Sequence, residues 1–431
     1  MVQLRKTRVK RPTKLSGDLS GRYLRQIWLM TMDQTIVYRA IMVLAMFDIA
    51  GCVNDRLYPS AAVRPGPVTS APTVTGSFTG SPEAVFNTRN ACEQIDIPDT
   101  SAHAFRDDQN MVHLISTHFV ARAMVGSSLD NVKHDCHVIF RSPQDADPSH
   151  FQYHNWLYSF YTVDGRRIAA LVHSEYDAFE IPGTCATPES RTNCWWNTIT
   201  FAQSVDGGYS FAEPQPPLNL VASLPYRYVV GNRTSAYGYN LPTNILKVGE
   251  FYYAMVNDWP HEAQKYGPCL LRTTNPFDPG SWRAWNGRGF AIRFVDPYRD
   301  SDVKPEEHVC EPVLAGAAEC VVQFQRMGLF IVSQLTPDER FGPPGLYVSA
   351  SRDLIHWGKP TLIAKTSDLE TVDGPGKWTY GYSSLLDPAS KDRSFSTISD
   401  TPFVYYVRLD GNNPPYARVL FRRKIKLHIV Q

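Results

Sequence analysis

The stretch Ser204-Val205-Asp206-Gly207-Gly208-Tyr209-Ser210-Phe211 decides the fold. It reads Ser-x-Asp-x-Gly-x-x-aromatic, the pattern of a tight hairpin whose Ser and Asp side chains hydrogen-bond the backbone. The closing aromatic then packs beneath the turn. Ser351-Arg352-Asp353-Leu354-Ile355-His356-Trp357 is a shortened form, and Ser142 to Phe151 and Thr274 to Trp282 are looser ones. The turns close at Phe151, Phe211, Trp282 and Trp357, a unit of 60 to 75 residues. A repeat of that length, somewhat longer than a four-stranded blade, predicts an all-β, five-bladed β-propeller, with six blades the alternative. Such a fold places its chemistry in a central funnel.

Composition agrees. Of 431 residues, 12% are aromatic, and 32 Pro and 27 Gly favour strands and turns over long helices. The formal charge of +1 hides an asymmetry, because residues 1–25 carry eight Lys or Arg against one Asp. The remaining body is net −6 and has no basic stripe, which speaks against nucleic-acid binding. The basic flank precedes the apolar run Ala40–Phe47, too short to span a bilayer but suited to a signal peptide. Ile49-Ala50-Gly51-Cys52 resembles the lipobox of bacterial lipoproteins, in which the Cys is lipidated. Residues 1–52 therefore read as a leader and 53–90, rich in Pro, Ser and Thr, as a linker. Residues 91–431 read as one propeller domain. The expectation is an exported, lipoprotein-like or secreted protein, monomeric, touching a membrane only through its N-terminal anchor. Cys185 and Cys194, nine apart in a polar loop, form a plausible disulfide in that setting.

Ser351 to Pro360 resembles the Ser-x-Asp-Leu-x-x-Trp-x-x-Pro blade ending of five-bladed propeller glycosidases, glycoside hydrolase families 32, 43 and 68 and their relatives. Ser204 to Phe211 resembles the Asp box of six-bladed sialidases. The first resemblance implies three carboxylates facing the funnel from different blades: a base or nucleophile, a general acid, and an orienting Asp. Asp99 stands where the innermost strand of the first blade starts. The third blade's inner strand offers Asn244 where that family carries an acid.

From the residues themselves, Glu175 follows the apolar run Ile168–Val172, so desolvation there raises a carboxyl towards general-acid duty. A Glu paired with an Arg or capping the strand end is the plainer alternative. Glu311, in His308-Val309-Cys310-Glu311-Pro312, is a second candidate acid or a solvated loop residue. His173 beside Glu175, Asn244, and the rings Trp156, Tyr176, Trp259 and Tyr382 are candidate sugar contacts. The Asp residues of the hairpins serve turns, and the histidines share no metal-ligand spacing, so neither cofactor nor metal is assigned. Gly-x-Ser-x-Gly is absent from the sequence, which speaks against a nucleophilic serine. The expected function is glycoside hydrolysis of an oligo- or polysaccharide, with Asp99 as base or nucleophile and Glu175 or Glu311 as proton donor. A non-catalytic glycan- or protein-binding propeller and a polysaccharide lyase using His173 or Tyr176 are the alternatives.

Overall fold

A computed structural model of the protein describes residues 71–187, 191–231, 236–300, 302–336, 339–369, 378–410 and 418–430. The basic leader, the apolar run, Cys52 and residues 53–70 lie outside the described residues.

The chain is all-β, and among the described residues its helices are short 3-10 turns. Its strands form successive antiparallel meanders. The first runs through His103–Arg106, Val112–Ile115, Met124–Gly126 and Lys133–His134. The second contains His154–Thr162, Ile168–Asp177 and Trp195–Ser204, with Leu220–Ala222 outside them. The third contains Leu246–Val248, Phe251–Trp259, Cys269–Thr273, Arg283–Trp285 and Phe290–Ile292. Tyr237–Asn240 pairs with both Trp195–Ser204 and Phe251–Trp259, fusing the second and third meanders into one ten-stranded sheet. The fourth is Cys320–Phe324, Leu329–Thr336, Gly345–Ser351 and Thr361–Lys365. The fifth is Trp378–Leu386, Phe403–Asp410 and Arg418–Val430, and the N-terminal strand Thr73–Phe78 completes it.

That last pairing corrects the expected domain boundary. Thr73–Phe78 and Glu83–Asn87 both pair with Arg418–Val430, inside the stretch read as linker. The reason lies in Thr73-Val74-Thr75-Gly76-Ser77-Phe78. Its Val74 is fully buried, and β-branched residues flank it. Average composition over 53–90 concealed that short alternating run.

Strands buried on both faces read as continuous apolar runs because alternate residues enter different cores. Ile168, Ala170 and Val172 pack with Phe105 and Ile115 of the first meander. Ala169 and Leu171 pack with Ala254 and Leu271 of the third. Val321 and Val332 meet Met255 and Leu270, while Val322 and Ile331 meet Val404 and Tyr406. Tyr405 and Val407 pack against Ala104 and Leu114 of the first meander.

The turn at Ser204 behaves as its sequence requires. Ser204 Oγ accepts from Gly208 N at 2.9 Å, and Asp206 Oδ1 accepts from Ser210 N at 3.0 Å. Gly208 has φ +94, and a Cβ there would lie 2.4 Å from the Phe105 ring, so only glycine fits. Phe211 is buried against Phe160, with ring centroids 5.7 Å apart. Two further disulfides join the expected Cys185–Cys194, namely Cys92–Cys136 and Cys269–Cys310.

Candidate active site

The loop before His103–Arg106, the ends of His154–Thr162 and Ile168–Asp177, and the start of Arg418–Val430 enclose a cavity of about 490 Å³. Asp99, Glu175, Trp156 and Tyr382, four of the residues singled out in the sequence, line it together. The wall comes from the first, second and fifth meanders.

Asp99 is held from both ends. Its backbone N–H donates to Thr117 O at 3.2 Å. Its Oδ1 accepts from Tyr382 Oη at 3.0 Å and is met by Arg418 Nη1. His118 Nε2 lies 3.5 Å from Oδ2. Donors converging this way serve a carboxylate, which only accepts. Burial draws the Arg418 guanidinium down to about 10, which leaves it charged at neutral pH.

Glu175 stands opposite His154 on one neighbouring strand and Asn197 on the other. Strand alternation puts His173, Glu175 and Asp177 on one face. His173 is buried behind the cavity, with Nε2 2.9 Å from Asn197 Oδ1 and 3.7 Å from Glu175 Oε1. Burial pushes its imidazole down to about 4, so it is neutral at physiological pH. It backs Glu175 rather than facing a ligand.

Four expected site residues lie elsewhere. Glu311, its side chain 44% exposed, pairs with Lys265 at 2.6 Å in a solvated loop. Tyr176 points to the face opposite Glu175, enters the core and donates to Ala146 O at 3.1 Å. Asn244 is buried, its Oδ1 accepting from Val321 N at 2.9 Å, and so ties the third meander to the fourth. Trp259 supports the site at one remove, its ring 4.7 Å from that of Trp195, which lines the cavity.

Several contributors escaped the sequence reading. Asp177 and Trp195 are paired across Ile168–Asp177 and Trp195–Ser204, strands longer than their apolar runs suggested. His154 Nδ1 lies 2.9 Å from Asp177 Oδ2, and Phe119 stacks on the His154 ring at 4.4 Å. Arg418 opens a strand whose apolar content begins at Val419. Behind the wall, Glu319 is buried and accepts from Leu335 N, Tyr382 N and Ser383 N, each at 2.9 Å, and from Ser383 Oγ. Burial pushes its carboxyl up to about 7 against those donors. The sequence carries a signal for it, since Glu319 directly precedes the strand Cys320–Phe324.

His154, Asp177 and Glu180 each offer a ligand atom within 4.8 Å of the others at the cavity wall. Cys92, Asp96 and His134 form a similar group, but Cys92 is bound in a disulfide. Among the described residues, the cavity wall carries the carboxylates of Asp99, Glu175, Asp177 and Glu180 and the guanidinium of Arg418.

Solved structures similar to the chain are glycoside hydrolases by name. The catalytic domain of the Coprinopsis cinerea GH62 α-L-arabinofuranosidase is 11% identical over 83% of this chain and 98% of its own, with TM-score 0.42. The Cellvibrio cellulosa α-L-arabinanase complexed with arabinohexaose is 14% identical over 77% and 92%, with TM-score 0.42. A thermostable family-43 glycoside hydrolase is 11% identical over 76% and 89%, with TM-score 0.41. No protein-family model and no curated protein matches the chain.

Proposed function

We propose that the protein is an exported glycoside hydrolase built as a five-bladed β-propeller, with Asp99 as base or nucleophile and Glu175 as proton donor. One observation carries the reading: Asp99 and Glu175, carboxyl groups from two different meanders, share a cavity walled by aromatic rings. Glycoside hydrolysis needs one group to protonate the leaving oxygen and another to attack or to activate water. Asp99, amid a guanidinium and a hydroxyl donor, is the ionised member. Glu175, beside neutral His173 and on the same face as Asp177, is the carboxyl assigned to protonate the leaving oxygen. Trp156 and Tyr382 supply flat faces for the C–H side of a sugar ring.

The five-bladed reading is supported by the cores. Consecutive meanders share one apart from the next, and the fifth meander shares its other face with the first. Three disulfides support an oxidising compartment and hence export. The acidic wall favours a neutral glycan.

The test is release of reducing ends from arabinan, arabinoxylan and β-1,3-galactan. Asp99→Asn and Glu175→Gln are each expected to lose ~10²- to ~10⁴-fold, while Glu311→Gln keeps wild-type rates. Binding without hydrolysis makes the protein a glycan-binding propeller, and a Glu175→Gln enzyme of full activity removes the assigned donor.

A further inference from the structure

We propose that Glu319 is a positioning residue of this cavity: it holds open a β-bulge that aims the Tyr382 hydroxyl at Asp99. The inference rests on the reading of Asp99 as a working carboxylate.

Trp378–Leu386 pairs regularly with Phe403–Asp410 until Gly381, opposite Val407, and resumes at Ser384, opposite Tyr405. Tyr382 and Ser383 thus stand against the single residue Tyr406. An extra residue of this kind leaves the ladder locally unpaired and re-aims a side chain. Tyr382 adopts φ +61, a left-handed conformation uncommon for a residue with a Cβ. Such strain persists only where its surroundings over-determine it.

Glu319 provides that constraint. The bulge releases the N–H groups of Tyr382 and Ser383 from the ladder, and buried donors left unpaired are costly. Glu319 Oε1 takes the first and Oε2 the second, both at 2.9 Å. Oε2 also takes Leu335 N and Ser383 Oγ. The Glu319 N–H in turn donates to Ser333 O at 3.1 Å, and Ser383 Oγ lies 3.0 Å from Ser333 Oγ. One side chain therefore fixes both bulged residues to the fourth meander.

The ionised carboxylate brings two acceptor oxygens to these donors. A glutamine would turn an NH₂ towards N–H groups. At the far end of the bulged residue, Tyr382 Oη donates to Asp99 Oδ1, the same oxygen that Arg418 meets. Glu319 itself does not line the cavity. It acts on Asp99 only through where it puts Tyr382.

The experiment compares Glu319→Gln, Tyr382→Phe and the double variant, by crystallography and by hydrolysis of the glycan on which the wild type is active. In the Glu319→Gln crystal structure, Tyr382 Oη is expected to leave Asp99 by more than about 1 Å. Each single variant is expected to lose ~10- to ~100-fold in kcat, the weight of one hydrogen bond to a charged group. The double variant is expected to lose no more than the worse single, since both break one linkage. A Tyr382 hydroxyl that stays on Asp99 in Glu319→Gln overturns the proposal, and so do losses that multiply in the double variant. Should Glu319→Gln not fold, Glu319→Asp keeps both oxygens on a stem one methylene shorter and is read by the same displacement. A wild type inactive on every glycan removes the hydrolase reading alone, because the crystallographic comparison still decides what Glu319 does.

Discussion

Replacing Asp99 with Asn tests a structural and a chemical role at once, and Arg418 separates them. The two side chains are 12% and 18% exposed, so their ion pair is mostly withdrawn from water. Removing the carboxylate takes a counter-charge away from the guanidinium. Breaking a fully buried pair from one side costs ~3–5 kcal/mol, and the residual water contact here lowers the expectation to ~2–3 kcal/mol. For a folded body of roughly 360 residues, unfolding entropy near ~0.75 kcal/mol per kelvin turns that into a Tm lower by ~3–4 °C. Adding Arg418→Met removes the charge that has lost this partner, so the double variant is expected to regain part of the lost Tm in a calorimetric scan. Hydrolysis stays ~10²- to ~10⁴-fold down in both variants, because the working carboxylate is still missing. A double variant that recovers activity together with Tm refutes the chemical role of Asp99. An Asp99→Asn protein with wild-type Tm refutes the energetic weight given to the pair.

Further predictions concern the scaffold. Gly238 has φ +106 where Tyr237–Asn240 joins two meanders, and a Cβ would stand 2.1 Å from Asn197 O. Gly238→Ala is expected to cost at least ~2 kcal/mol in urea unfolding, and a neutral result removes the steric argument. Burial holds the His103 imidazole at about 3, below its ordinary 6.5. The unfolded chain therefore takes up this proton first, and the fold loses stability as pH falls from 6.5. Between pH 6.5 and 5 that share is ~1.5–2 kcal/mol, and unfolding of His103→Phe at the two pH values should lack it. Cys269–Cys310 and Cys185–Cys194 close separations of 41 and 9 residues. Their removal by paired Cys→Ser changes is expected to cost ~4 and ~2.5 kcal/mol, and the reverse order in denaturant midpoints contradicts the loop-entropy reasoning.

The hairpin chemistry at Ser204 and the apolar runs around Ile168 and Val321 were legible because they obey local rules of turn geometry and strand alternation. Asp99 is drawn from the resemblance to propeller glycosidases and Glu175 from its place after the apolar run Ile168–Val172, and both line the cavity. The errors share a cause: proximity in sequence was taken for proximity in space. Tyr176 adjoins Glu175 along the chain, yet a strand sends neighbours to opposite faces. Glu311 precedes an apolar stretch, but that stretch begins with a loop, and Glu319 stands at the true strand start. Arg418 and Tyr382 reach Asp99 across separations of 319 and 283 residues, contacts that no local pattern encodes.

Arg418–Val430 is the last strand of the described chain and pairs along much of its length with Thr73–Phe78 and Glu83–Asn87. Its first residue is also the guanidinium that meets Asp99. Completion of the fifth sheet and completion of the cavity are therefore one event. During synthesis, Thr73–Phe78 and Glu83–Asn87 are made long before the strand they pair with, so until then they stand as open sheet edges. A cut that removes Arg418–Val430 therefore does two things at once: it unlatches the sheet and takes from Asp99 the guanidinium that meets it.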